Sequence, residues 1–162
     1  MSQWPRPLPI VPSCVVCGET STNPHAYRLR WLAYEDRVEA RFTAALEHTG
    51  YPDRVHGGVI SGLLDEAIFW AVAVASGRFP VTRELAVRYH RPLPTGQPVT
   101  IVGRKESGTQ RSAQGIGEIR DDAGTVYATA SGEFVLMPQS WGMEMNRQFR
   151  YQPGDLDVLA EK

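Results

Sequence analysis

Apolar and polar residues alternate along most of the chain, and one long apolar run interrupts this pattern near the middle. Between residues 37 and 44 the alternation has a period of two, which predicts a strand with one buried face. Similar stretches follow the same rule: residues 27–34, 82–90, 98–106, 111–121 and 126–137. Short turns rich in glycine, proline and aspartate separate the last four, so we expect an antiparallel meander.

The apolar run at residues 59–76 predicts a single long helix, because it is rich in alanine and contains no proline. Gly77 and Pro80 are typical of its end. One face is expected to pack on the sheet. The opposite face consists mostly of small and apolar residues, with one acid: Gly58, Gly62, Asp65, Phe69, Val72 and Ala73. Such a face predicts that a second copy of the chain covers it and confines Asp65.

The helix start also suggests chemistry. His56, Gly57 and Gly58 offer no Ser, Thr, Asp or Asn at the cap position, which predicts unpaired N–H donors at the positive end of the helix dipole. Asp65 follows about two turns later. Donors that polarise a carbonyl and an acid that activates water suit acyl transfer. The alternative is that the glycines form only a tight turn and that Asp65 faces solvent.

Length and composition restrict the remaining possibilities. The chain has 162 residues, which is typical of one domain, and we divide it into a proline-rich arm with a cysteine knuckle (1–25), a central domain (26–138) and a tail (139–162). A net charge of −1 argues against a generic nucleic-acid partner. No secretory signal is recognised and two acids interrupt the longest apolar run, so we expect a cytoplasmic protein that does not bind membranes.

Residues 55–67 resemble the signature of hot-dog-fold acyl-CoA thioesterases of the phenylacetic-acid-pathway (PaaI-like) type. That signature is His-Gly-Gly, six residues and Asp, and His56 to Asp65 match its spacing. Further matches extend the resemblance over residues 14–137: Arg91-Pro92, Gly96, Asp122-Ala123-Gly124, and the upstream Cys14-Val15-Val16-Cys17-Gly18 with Asn23-Pro24.

The resemblance implies an α+β hot-dog fold, in which an antiparallel sheet of five to six strands wraps around one long helix. It implies a homodimer or homotetramer with active sites between protomers. Gly58 N–H, with Gly57 nearby, would bind the thioester oxygen of an acyl-CoA substrate, and His56 would orient groups there. Asp65 from the partner subunit would act as base or nucleophile. No metal or other cofactor is implied.

Six further residues are candidate substrate contacts. Glu66 is a reserve acid beside Asp65, Phe69 is expected near the acyl group, and Thr82 lies in the strand after the helix. Coenzyme A carries phosphates, so a basic rim is expected. Its candidates are Arg104, Lys105 and Arg111, although ordinary solvated charges explain each of them as well.

Cys14 and Cys17 have the spacing of a metal knuckle, but a tetrahedral site needs more ligands. The sequence has no second cysteine pair, so only His25 or a second chain offers further ligands. This favours a turn without metal. Three alternative functions remain open: a non-catalytic acyl-CoA binding or regulatory protein, a thioesterase acting on acyl-carrier protein, and a zinc-knuckle interaction protein.

Overall fold

A seven-stranded antiparallel sheet wraps around one long helix in the computed structural model, which describes residues 4–159. The sheet strands, in chain order, are β1 (Arg6–Pro7), β2 (Leu32–Ala33), β3 (Val38–Thr43), β6 (Pro80–Tyr89), β7 (Pro98–Gly108), β8 (Ser112–Arg120) and β9 (Val126–Leu136). The other elements are a small ribbon of β4 (Thr49–Tyr51) and β5 (Arg54–Val55), and the helices α1 (Gly57–Ser76) and α2 (Gln139–Asn146). The sheet order is β1-β2-β3-β7-β8-β9-β6.

The predicted α+β architecture is confirmed, with one more sheet strand than the five to six expected. The additional strand, β1, lies in the proline-rich arm and pairs with β2. The strand predicted at residues 27–34 shortens to β2. Arg28 adopts a left-handed conformation (φ 61°). Tyr27 and Leu29 donate their N–H groups to the carbonyls of Val15 and Val16 in the cysteine knuckle, so they do not join the sheet.

The long helix is also confirmed, and it begins at Gly57 and ends before Gly77, whose φ is 65°. Glycines on the sheet let it approach closely. A methyl group on Gly103 of β7 would lie 2.1 Å from the backbone oxygen of Ala67, so only glycine fits under the helix. By length and a mean hydropathy of 1.6, α1 is apolar enough to cross a membrane, but half of this stretch is buried inside the protein. Burial against the sheet accounts for its apolar composition.

Two residues of the helix face that was predicted to lie opposite the sheet are buried within the same chain. Val72 and Ala73 are 0% and 1% exposed, and Val72 lies against β8 near Gly115. The prediction that a second copy covers them is therefore wrong. Because α1 is apolar around most of its circumference, its sequence pattern does not fix which face meets the sheet.

Both terminal segments pack against the central domain. Leu8 and Ile10 of the arm are buried in the same core as α1. In the tail, α2 was not predicted, and the ring of Phe149 lies 5.5 Å from that of Trp70, between centroids. These segments contact the side of α1 that carries Glu66 and Trp70.

Candidate active site

The start of α1 is capped by His56. Its Nδ1 accepts a hydrogen bond from the Gly58 N–H at 2.8 Å. The prediction of an unpaired Gly58 N–H is therefore wrong. The cap was not foreseen, because histidine is not among the residues that ordinarily cap helices. With Nδ1 as acceptor, the ring proton is assigned to Nε2, and this N–H of the exposed side chain has no acceptor in the part of the chain that the structure describes.

The Gly57 N–H, in contrast, has no acceptor among residues 4–159. It lies at the positive end of α1, where a carbonyl oxygen or oxyanion is stabilised. The backbone here is held from β6, because the Tyr89 hydroxyl donates to the Gly57 carbonyl at 2.9 Å and also contacts the Ser61 hydroxyl at 2.7 Å. In this conformation the Gly57 N–H is open to an acceptor from outside the chain, whereas the Gly58 N–H is occupied by His56.

Asp65 is half-buried two turns into α1. The Thr82 hydroxyl on β6 donates to its Oδ1 at 2.8 Å, while Oδ2 has no partner in the described part of the chain. Burial raises the pKa of Asp65, and the hydrogen bond from Thr82 opposes this only in part. A carboxylate with a raised pKa and one free oxygen is suited to accept a proton.

A cavity of about 240 Å³ opens beside this acid. Phe69, one turn after Asp65, lines it and packs edge-on against Trp70, with ring centroids 5.2 Å apart. The remaining lining residues come from the arm, the knuckle and α1: Val11, Cys14, Cys17, Asp65, Glu66 and Trp70. The cavity is mostly apolar and its position suits an acyl group next to Asp65.

The contacts of Glu66 do not fit the predicted role of a reserve acid that touches substrate. The Nε1–H groups of Trp31 and Trp70 both donate to its Oε1, at 3.0 and 3.3 Å, and a hydrogen bond of 3.0 Å joins its Oε2 to the sulfur of Cys14. Burial raises the pKa of Glu66 to about 8. Both carboxylate oxygens are thus occupied by protein groups, which differs from the expected contact with substrate.

The three basic candidates lie apart from this cavity. Arg104 Nε is 3.9 Å from Asp36 Oδ2. Lys105 lines a different cavity, beside Val74 near the end of α1, and Arg111 is exposed in the turn between β7 and β8. Within this chain none of the three lines the cavity beside Asp65.

Within a single chain, the Gly57 N–H and the Asp65 carboxylate lie too far apart to act on the same atom. Gly57 and Asp65 are eight residues apart on one helix, and hence about 12 Å apart along its axis. One thioester carbonyl cannot contact both. Strand β6, which carries Thr82 and Tyr89, forms an edge of the sheet, and Val81 and Tyr89 on it are 38% and 50% exposed. An edge of this length is available to pair with another strand.

Two groups of contacts were missed by the sequence analysis. Tyr89 holds the backbone of Gly57, and Trp31 and Trp70 hold Glu66. In the sequence, Tyr89 and Trp31 lie in predicted strands, and Trp70 lies in the predicted helix. No signal in a single sequence distinguishes these residues from ordinary core or edge positions.

Comparisons with known proteins agree with this architecture. Residues 53–128 match the family model of the thioesterase superfamily. A thioesterase-superfamily protein of known crystal structure is 32% identical with a TM-score of 0.70, over 76% of this chain and 60% of that chain. The present chain therefore spans less than two thirds of that protein. A search of curated proteins found no significant match.

Two further solved structures share the fold at lower identity. The PaaI protein from the phenylacetic acid degradation operon of E. coli is 17% identical, with a TM-score of 0.64 over 70% of this chain and 82% of that one. A Streptococcus mutans UA159 protein solved with bound acetyl-CoA is 18% identical, with a TM-score of 0.62 over 67% and 88%. The family match and the 32% identical structure confirm the predicted resemblance to hot-dog thioesterases, and the chain has their fold.

Proposed function

We propose that this protein is an acyl-CoA thioesterase, which hydrolyses the thioester to a free acid and coenzyme A. The observation that carries the proposal is the position of Asp65, half-buried beside an apolar cavity with one carboxylate oxygen free. The family match supports thioester chemistry. The neighbour solved with acetyl-CoA supports coenzyme A, more than a carrier protein, as the group that bears the thiol.

In this mechanism the thioester oxygen binds at the Gly57 N–H, where the helix dipole stabilises the oxyanion of the tetrahedral intermediate. Gly58 becomes a second donor when His56 turns away from it. As a base, Asp65 takes a proton from water while the water oxygen attacks the carbonyl carbon. The intermediate then expels the coenzyme A thiolate. As a nucleophile, Asp65 instead attacks that carbon itself and displaces the coenzyme A thiolate, and water then hydrolyses the resulting anhydride to the free acid and the Asp65 carboxylate.

We further propose that two copies pair through β6, so that Asp65 of one protomer faces Gly57 of its partner. The separation of about 12 Å between these groups on one helix supports this arrangement. The free edge of β6 supports it as well, since its pairing places two sheets and two central helices side by side. Arg104, Lys105 and Arg111 are kept as proposed contacts for coenzyme A phosphates, with the dimer bringing substrate to them.

A panel of acyl-CoA esters, assayed for thiol release, tests the activity. A cavity of about 240 Å³ is small for a ligand pocket, so we expect faster turnover of short or single-ring acyl groups than of long-chain ones. The same acyl groups on acyl-carrier protein serve as the comparison. Binding without thiol release would identify a non-catalytic acyl-CoA protein, and release from carrier protein alone would identify the other thioesterase class.

A shared active site predicts complementation between two inactive chains. Asp65→Asn removes the acid, and Gly57→Pro removes the N–H donor. A heterodimer of the two, purified through two different tags, should contain one intact site and show about half of wild-type activity. Each parent homodimer should remain inactive. A heterodimer as inactive as its parents would show instead that each site lies within one chain.

A further inference from the structure

The segment around Cys14 and Cys17 has the geometry of a metal knuckle. The Val16 N–H donates to the sulfur of Cys14 at 3.3 Å, and the Gly18 N–H closes the turn on the Cys14 carbonyl at 3.0 Å. A methyl group on Gly18 would lie 2.1 Å from that carbonyl oxygen, so the turn requires glycine. Both sulfurs therefore lie on one side of a tight, well-fixed loop.

Glu66 supplies the third donor that the sequence did not reveal. The two sulfurs and a carboxylate oxygen of Glu66 all lie within 4.8 Å of one another. Tetrahedral zinc, with bonds of about 2.3 Å to sulfur and 2.0 Å to oxygen, separates its ligand atoms by about 3.5 to 3.8 Å. The three groups therefore need only small shifts to surround one ion.

No basic side chain accompanies this cluster in the described part of the chain. Glu66 is hydrogen-bonded to Cys14 and two tryptophans, and no Lys, Arg or His pairs with it within residues 4–159. Ionising this acid and the two thiols without a basic partner is costly, because no group in the cluster balances their negative charge. A bound divalent ion would balance that charge and stabilise the ionised, ligating forms.

The surroundings hold the carboxylate in a ligating orientation. Trp31 and Trp70 donate to the same oxygen, Oε1, which leaves Oε2 directed at the Cys14 sulfur. Hydrogen bonds of this kind to the non-ligating oxygen fix a metal ligand and are a regular part of metal sites. The cavity of about 240 Å³ adjoins all three donors and leaves room for a fourth ligand.

We propose that Cys14, Cys17 and Glu66 bind one zinc ion per chain, with water from the adjoining cavity as the fourth ligand. Two thiolates and a carboxylate suit zinc, whereas magnesium and calcium prefer oxygen ligands alone. The ion joins the knuckle to α1 across 52 residues of sequence and thereby fixes the cavity wall beside Asp65. Binding releases thiol protons to solvent, so affinity rises with pH.

Metal analysis of the full chain tests this site. Protein purified with reduced thiols, loaded with zinc and washed should hold one equivalent. Cys14→Ser and Cys17→Ser should lose it, and Glu66→Gln should bind it more weakly. Asp65→Asn is the matched control, since it alters the neighbouring carboxylate but no ligand, and it should keep the full equivalent.

Cobalt substitution gives a readout that does not depend on the stability of variants. Wild-type protein titrated with Co²⁺ should show the intense thiolate-to-cobalt charge-transfer absorption and the visible bands of a tetrahedral ion. Zinc should displace the cobalt and abolish both. Circular dichroism on each variant separates loss of the ligand from loss of the fold.

The proposal is overturned if reduced wild-type protein takes up no more zinc than the Cys14→Ser, Cys17→Ser double variant, or gives no cobalt–thiolate absorption. Formation of a Cys14–Cys17 disulfide that persists under reducing conditions would overturn it too. These outcomes are independent of the proposed thioesterase activity. Loss of hydrolysis in Asp65→Asn with zinc retained would support both proposals, whereas hydrolysis retained in that variant would contradict only the assignment of Asp65.

Discussion

Replacing Asp65 with asparagine is expected to lower kcat for thioester hydrolysis by about 10³-fold, with little change in affinity for acyl-CoA. Asparagine has nearly the same shape, and its side-chain oxygen still accepts the hydrogen bond from Thr82. It cannot take a proton from water or attack the carbonyl carbon. Steady-state thiol release and calorimetric binding of the same acyl-CoA measure the two effects separately.

The same substitution is expected to stabilise the protein. Burial raises the pKa of Asp65, so folding disfavours its charged form and the ionised carboxylate destabilises the protein above that pKa. The neutral amide removes this cost at neutral pH, and the melting temperature should rise. A gain in stability together with a loss of turnover is typical of a residue kept for chemistry.

Asp122→Asn provides the control, because Asp122 is an exposed carboxylate in the turn between β8 and β9, where it pairs with Arg41. It should change neither turnover nor binding. Unchanged hydrolysis in Asp65→Asn would show that this acid does not act in the reaction. A fall in affinity equal to the fall in kcat/KM would instead make Asp65 a binding group.

The general architecture could be predicted because its signals are local. Alternation with a period of two identified β3 and β6 to β9, and a long run without proline identified α1. The two-residue sheet strands β1 and β2 could not be placed in the same way. β1 lies among prolines, and β2 is all that remains of a longer alternating stretch whose N–H groups bind the cysteine knuckle.

Details of the site could not be predicted, because they depend on contacts between segments that are far apart in the sequence. Asp65, Gly57 and Thr82 were candidates from sequence, and the structure joins Thr82 to Asp65. The burial of Val72 was not predicted, because α1 is apolar around most of its circumference and its sequence does not show which face meets the sheet. The contact of Cys14 with Glu66 spans 52 residues, and no spacing rule predicts it.

The second large effect is expected at the helix start, where Gly57→Pro should lower kcat by about 10²- to 10³-fold, as loss of one oxyanion donor does. Proline removes the N–H of Gly57, which makes no hydrogen bond among the described residues. Proline is well tolerated at the first position of a helix. It also favours an extended residue before it, and His56 already has φ −63° and ψ 138°.

Gly57→Ala distinguishes the loss of the N–H donor from steric crowding by the added side chain. A methyl group there would lie 3.3 Å from the Tyr89 hydroxyl, a close contact that proline would make as well. Alanine nevertheless keeps the N–H and should retain most of the activity. Equal losses in the two variants would show that space beside Tyr89, and not the donor, limits turnover.

Full activity in Gly57→Pro would assign the oxyanion to Gly58. In that case the His56 ring must leave the Gly58 N–H, to which it now lies hydrogen-bonded at 2.8 Å, when substrate binds. His56→Ala would then speed the reaction by freeing the donor. If Gly57 is the donor, the same variant should slow the reaction, because it removes the cap that holds the first turn of α1 in place. The direction of this change therefore decides which of the two glycines binds the thioester oxygen.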